Sequence, residues 1–334
     1  MNKKILRQAV ACVLRHMPEC SLPILSGLPR VGKFAEAFAY WQHPFQTDVP
    51  NFGVRALLHV ARETSGLTLQ PVAGNTGAIV RHSTRKEWNG LKVALLAHWD
   101  ASAEVAPYVR YYANALHQQG YDVVLATSGV PRLVQEDLDV FSAVVCRQSH
   151  GYDFTSWRAA FEALPSLFEA SEILLTNDSM YGPVGPLDPL YKAMENTPCD
   201  FWGIIESNAV EAHLQSYFIV LYKNAIKSSA FKEFLSCIGM SSCKVKAIGY
   251  ELAFSRWLVQ NGQRAAVRFP DSVFSPTSLN PSHYAWDTLL KTGFFPFIKR
   301  ELLFENPYAV PLKNVTSLLE INNYPRELIK NTLR

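Results

Sequence analysis

Apolar positions in the middle of the chain fall into short unbroken runs separated by stretches of helical spacing. Val93-Ala94-Leu95-Leu96-Ala97 is the kind of run a strand buried on both faces requires, and it stops at His98-Trp99-Asp100. Val105, Tyr108, Val109, Tyr112 and Leu116 then recur every three or four residues, predicting an amphipathic helix that Gly120 can cap. The same pattern predicts strands at Tyr121 to Ala126, Ala143 to Cys146 and Ile173 to Thr176, with a helix over Phe154 to Leu164. Strands alternating with helices imply an α/β fold built on a largely parallel sheet with right-handed crossovers. Farther on, His213 to Leu221 reads as a strand carrying His213, Gln215 and Tyr217 on one face. Ile248, Leu252, Trp257 and Leu258 mark a helix that ends at Gly262, with Glu251 in its opening turns.

The pattern is weaker before residue 88. Phe34 to Trp41 and Val54 to Arg62 suit helices, and the polar, glycine-bearing stretch from Pro71 to Gly90 reads as a linker. The expected organisation is a mainly helical accessory region at 1–88, an α/β domain at 89–308 and a C-terminal tail at 309–334.

Composition narrows the partners. With 334 residues, 48% hydrophobic and 18% charged, the chain can bury a large core. A net charge of +3, with Lys and Arg scattered, argues against nucleic acid and leaves a small anionic ligand or a membrane surface. The six cysteines form no CxxC pair, which suggests reduced cytosolic thiols and argues against metal ligation by them. Residues 5–14 follow two lysines as a signal peptide would, but the run is short and Arg7 interrupts it. No stretch approaches the roughly 18 apolar residues of a membrane span. A cytoplasmic protein is expected, with peripheral contact at the inner membrane face through the basic N-terminal segment as an option.

The chemistry-bearing residues cluster at the predicted strand ends. Asn177-Asp178-Ser179 closes the fourth strand just before Gly182 and Pro183 break the chain. Ligands of open α/β sheets bind at the carboxyl ends of strands, although taken alone an Asx-type turn at Asp178 is the commoner reading. The first strand leads into neither GxGxxG nor GxxxxGK[ST], which disfavours dinucleotide dehydrogenases and P-loop NTPases.

Six stretches together resemble the rhamnan synthesis protein F family of bacterial surface-polysaccharide glycosyltransferases. They are HGYDFTSWRAAF from His150, LLTNDSMYGPVGPL from Leu174, DFWGIIES from Asp200, HLQSYFIVLYKNAI from His213, GYELAFSRWLVQNG from Gly249 and NPSHYAWDTLLKTGFFPFIKRELL from Asn280. The resemblance spans residues 91 to 308. It implies a GT-A-like, Rossmann-type sheet and an inverting transfer of a sugar, typically rhamnose from dTDP-rhamnose, onto a lipid-linked glycan of O-antigen, lipopolysaccharide or capsule. The GT-A plan ends a strand in Asp-x-Asp. Here the position reads Asn177-Asp178-Ser179, with one carboxylate in place of two, which leaves dependence on Mg²⁺ or Mn²⁺ open. A catalytically silent glycan-binding or scaffolding subunit is the rival, and a sugar-phosphate transferase a third option.

On this resemblance Glu251 is the catalytic base, against a bland role as a helix-dipole partner. Asp178 touches the metal or the donor, with Asn177 and Ser179 beside it. Asp153 is either a nucleotide contact or the N-cap of its helix, and Asp100 has a similar topological claim. His213 and Gln215 bind donor sugar, acceptor or diphosphate. His283 is a late metal ligand, and Lys299 and Arg300 offset the diphosphate unless they are ordinary surface ion pairs.

Overall fold

A computed structural model describes residues 69–208, 212–242, 244–273 and 280–329. The helices expected at 34–41 and 54–62, and the basic N-terminal segment, lie outside the described residues. The described residues begin with β1 (Ile79–Ser83), β2 (Lys92–His98), α1 (Pro107–Gln118), β3 (Asp122–Ser128), α2 (Gln135–Val140) and β4 (Ala143–Arg147). They continue through α3 (Asp153–Ala163), β5 (Glu172–Asn177), β6 (Met180–Tyr181), α4 (Asp188–Met194), β7 (Phe201–Ser207), β8 (His213–Leu214) and β9 (Phe218–Tyr222). Next are α5 (Lys223–Lys227), α6 (Ser229–Ser236), α7 (Lys244–Gln260), β10 (Ala265–Phe269), α8 (Pro281–Tyr284) and α9 (Trp286–Lys291). The last elements are β11 (Ile298–Lys299), α10 (Arg300–Phe304) and α11 (Val315–Ile321).

Among the described residues the large sheet has nine strands in the order β1-β4-β3-β2-β5-β9-β7-β10, with β8 paired to β7. Strands β4, β3, β2 and β5 are mutually parallel, as are β7 and β10. Strands β1, β8 and β9 run antiparallel to their neighbours. The largely parallel sheet expected from sequence is therefore parallel at its centre and mixed beyond β5. Helices cover both faces. Val109, Tyr112 and Leu116 of α1, Leu190 of α4 and Leu319 of α11 pack on one, and Trp157 of α3, Phe234 of α6 and Phe254 of α7 on the other. Because the central strands are covered twice, Val93 to Leu96 are all fully buried, which is why they read as an unbroken apolar run. Trp157 ties α3 to the sheet by donating its indole N–H to the carbonyls of Leu95 (3.0 Å) and Thr176 (3.2 Å).

Three expectations need correction. The supposed linker supplies β1, which pairs with β4, and Trp88 within the same stretch is fully buried. Thr76 also donates from its amide (2.8 Å) and hydroxyl (2.6 Å) to Glu162 of α3. The strand expected over 213–221 is two strands, β8 and β9, interrupted at Gln215 to Tyr217. The tail beyond 308 packs Val315, Leu318 and Tyr324 into the core.

Chain order marks where a ligand crevice is expected. From β2 the chain moves outward to β3 and β4, then returns to lay β5 on the other side of β2. Ligands of open α/β sheets bind beyond the strand ends at such a reversal. Strand β9 runs antiparallel with Phe218 opposite Thr176, so the residues that precede β9 reach the edge where β5 ends.

Candidate active site

Polar side chains finish the central strands. His98 closes β2, buried among its neighbours, with Nδ1 3.1 Å from the Thr127 hydroxyl of β3 and Nε2 3.9 Å from Asp178 Oδ2. Burial lowers its pKa to about 4, so the ring is neutral at neutral pH. Asp178, just past β5, accepts the Trp99 amide on Oδ2 (3.3 Å), and its backbone carbonyl accepts Tyr108 Oη (3.2 Å) and Arg300 Nη1 (3.1 Å). Burial pushes the Asp178 carboxyl up to about 7, against the pull of the Arg300 guanidinium.

The turn at the end of β5 belongs to Asn177. Its Oδ1 accepts the Ser179 amide (3.1 Å) and hydroxyl (2.6 Å), while its Nδ2 donates to Asp153 Oδ2 (2.6 Å). The Asx-turn role open to Asp178 is thus filled by its neighbour. Nor is Asp153 an N-cap, because Tyr152 holds that position and Asp153 is the first residue of α3. Burial raises the Asp153 pKa to about 6; its Asn177 bond opposes the rise, the Glu251 charge adds to it, and the charges of Arg147 and Lys299 oppose it.

Arg147, the last residue of β4, is buried and shapes the loop into α3 by donating Nε to Ser156 Oγ (3.0 Å) and Nη2 to the Gly151 carbonyl (2.8 Å). A Cβ on Gly151 would lie 2.5 Å from Thr155 Cβ, and its φ of +149° disfavours side chains. Gly151→Ala is expected to cost about 1–3 kcal/mol by overpacking, read as a lower denaturant midpoint at constant m.

The antiparallel side contributes a second group. The interruption between β8 and β9 is filled by side-chain bonds: Gln215 Oε1 accepts Asn280 Nδ2 (2.6 Å) and Lys299 Nζ (3.3 Å), and its Nε2 lies 2.8 Å from His213 Nε2. Because both donors fix the amide orientation, Nε2 faces His213, and that ring nitrogen acts as the acceptor. Glu251 takes the Ser216 amide on Oε1 at 2.8 Å. It stands two turns into α7, where the dipole of a helix N-terminus no longer acts, so the helix-dipole role falls away.

Lys299 and Arg300 reach this edge because β11 pairs antiparallel with β6, setting Lys299 opposite Met180 just beyond Asp178. Lys299 lies 5.9 Å from the Tyr217 ring centre and Arg300 4.8 Å from that of Tyr108. Among the described residues neither has a salt-bridge partner, in contrast to the surface pairing open to them in the sequence. Asp153 links the two flanks, since it bonds to Asn177 beside Asp178 and feels the charge of Glu251.

Two predicted residues stand apart in their bonding. Asp100 closes a local turn, with Oδ1 accepting the Ser102 amide (2.8 Å) and hydroxyl, which holds its carboxyl below the ordinary range. His283 is buried, with Nε2 3.1 Å from Glu301 Oε2 and its ring edge-on to Tyr308. Among the described residues no three His, Cys, Asp or Glu side chains are grouped to hold a metal ion, so Asp178 and His283 do not form a protein cage for one.

The sequence model of the rhamnan synthesis protein F family matches residues 123–334. The chain belongs to that family. The match starts later than the resemblance read from the motifs and runs on through the C-terminal tail. Virulence protein VirA of Vibrio anguillarum is 28% identical over 261 residues, covering 65% of this chain and 83% of the relative, and the same protein of strain ATCC 68554 / 775 gives the same figures. Among the described residues no helix is long and apolar enough to cross a membrane. His98, Tyr108 and Arg147 are the members of this cluster that sequence reasoning passed over. A polar residue ending an apolar run, as at His98 and Arg147, was the signal available for two of them.

Proposed function

We propose that this rhamnan synthesis family member is a GT-A-like glycosyltransferase that moves a hexose, rhamnose by the family's name, from a nucleoside diphosphate donor such as dTDP-rhamnose to a lipid-linked glycan. The observation that carries the proposal is the pair Lys299 and Arg300, which have no salt-bridge partner among the described residues and are charge-coupled to Asp153 and Asp178 where the parallel strands end. Departure of a nucleoside diphosphate builds negative charge on its phosphate oxygens, and fixed cations there stabilise the transition state. Asp178, with its raised pKa, limits the repulsion a diphosphate would meet. Glu251 withdraws the acceptor hydroxyl's proton as that oxygen attacks the anomeric carbon from the face opposite the departing phosphate, inverting the centre. His213 and Gln215 hold sugar hydroxyls, with Asn177 and Ser179 keeping the loop around Asp178 in place. The acceptor's lipid would bring the protein to the inner face of the cytoplasmic membrane as a peripheral protein.

Among the described residues no group of three His, Cys, Asp or Glu offers a metal site, which leaves Asp178 as the one carboxylate that would share a Mg²⁺ or Mn²⁺ with the donor's phosphates, and Lys299 and Arg300 as the fixed cations for the diphosphate charge. Incubation with a panel of sugar nucleotides and a lipid-linked acceptor should release nucleoside diphosphate, and the same assay with EDTA in place of divalent cation reads the share a metal ion contributes. A silent glycan-binding subunit would release none with any donor. A sugar-phosphate transferase would release the monophosphate.

A further inference from the structure

Trp99 differs from the other tryptophans of the sheet region. Trp88, Trp157 and Trp202 are buried, whereas Trp99 is 65% exposed. It is nevertheless not at the tip of a loose loop. Its amide donates to Asp178 across the β2/β5 switch point, Asp100 closes a turn directly after it, and Arg132 N–H donates to the Ala103 carbonyl (2.8 Å), tying this loop to the one that follows β3. A large aromatic surface is thus offered to solvent from a fixed backbone at the mouth of the crevice. Single exposed apolar residues are ordinary, so exposure alone says little. Position says more. Trp99 and Arg300 both bond to Asp178, one to its carboxylate and the other to its carbonyl, whereas Glu251 is coupled to Asp153 and bonded to Ser216 on the antiparallel side. Displacement requires the attacking hydroxyl and the leaving phosphate on opposite faces of the anomeric carbon. With the hydroxyl at Glu251, the diphosphate passes over Lys299 and Arg300, and the nucleoside emerges at Trp99.

We infer that Trp99 is the stacking platform for the donor's nucleobase, its exposed indole at the mouth of the β2/β5 crevice covering one flat face of the base. The inference rests on the glycosyltransferase reading and adds the residue that selects a nucleotide over a bare diphosphate. A flat π-face recognises any base, so Trp99 supplies affinity, and the identity of the base is set elsewhere.

Calorimetric titration of the full chain with dTDP, UDP, GDP and inorganic pyrophosphate tests this in the wild type, Trp99→Ala and Trp99→Phe. Trp99→Ala should weaken the preferred nucleoside diphosphate by about tenfold and leave pyrophosphate unchanged, while Trp99→Phe keeps most of the affinity. Unchanged nucleotide binding in Trp99→Ala would overturn the inference, as would equal weakening of nucleotide and pyrophosphate, which would assign Trp99 to shaping the Asp178 loop. A wild type that binds none of these ligands and releases no diphosphate from any donor would instead bring down the glycosyltransferase reading, and the inference with it.

Discussion

Glutamine in place of Glu251 should yield a protein that folds and binds its donor nucleotide normally but transfers sugar about 10²–10⁴ times more slowly, the range spanned by positioned general bases. The substitution suits the geometry. Glu251 Oε1 accepts the Ser216 amide at 2.8 Å, and a glutamine carbonyl oxygen can accept the same bond, so the interruption between β8 and β9 keeps its support while the basic carboxylate is lost. Glu251→Ala would remove both at once and leave a part-buried N–H unpaired, confounding catalysis with folding. Steady-state kinetics with saturating acceptor should show the loss in kcat with little change in donor KM. Turnover within a few-fold of wild type would remove Glu251 from the reaction.

At pH 8, Asp178→Asn should raise thermal stability. The folded-state pKa of Asp178 is raised to about 7 from the ordinary 3.8, so folding favours the protonated carboxyl. Its stabilising contribution is whole below about pH 4 and is lost as pH rises through about 7. The shift would correspond to about 4 kcal/mol at 1.36 kcal/mol per pH unit, but the side chain is 16% exposed and solvent screens part of it, so about 2 kcal/mol is expected. Asparagine has no charge to desolvate and can still accept the Trp99 amide. Melting curves at pH 5 and pH 8 check this: the wild type should lose more stability than the variant over that interval. Asp153, raised to about 6, contributes a loss of the same sign that both proteins share. Parallel pH profiles for the two would show that the Asp178 carboxylate is not costly to bury. A carboxyl kept where it destabilises the fold at neutral pH is the pattern expected of a functional site.

The parallel centre of the fold was legible in the chain because strands covered on both faces need uniform apolar runs, and Val93 to Ala97 and Ala143 to Cys146 supply them. Strand β1 was not, since an edge strand with Ile79 and Val80 exposed and Arg81 and His82 within it carries no such run. The gap between β8 and β9 escaped for another reason. Gln215 to Tyr217 alternate as a strand would, and side chains far away in sequence, Glu251, Asn280, Ser282 and Lys299, bond these residues where the two strands part. The candidate site shows the same division. Asp178 at a strand end could be singled out locally, but its neighbour Arg300 arrives through the pairing of β6 with β11, which no local pattern announces. The Asx turn fell to Asn177 and not Asp178 because Asn177 also has an amide to offer Asp153, a choice that depends on tertiary placement.

The antiparallel insertion of β9 between β5 and β7 has a consequence for biosynthesis. Strands β1 to β5 can assemble as the nascent chain emerges, but β5 then presents a naked row of backbone donors and acceptors until Phe218 to Tyr222 have been translated. A ribosome stalled, or a message truncated, before that point would release a half-sheet with an adhesive flank, a species prone to aggregation and in need of chaperones.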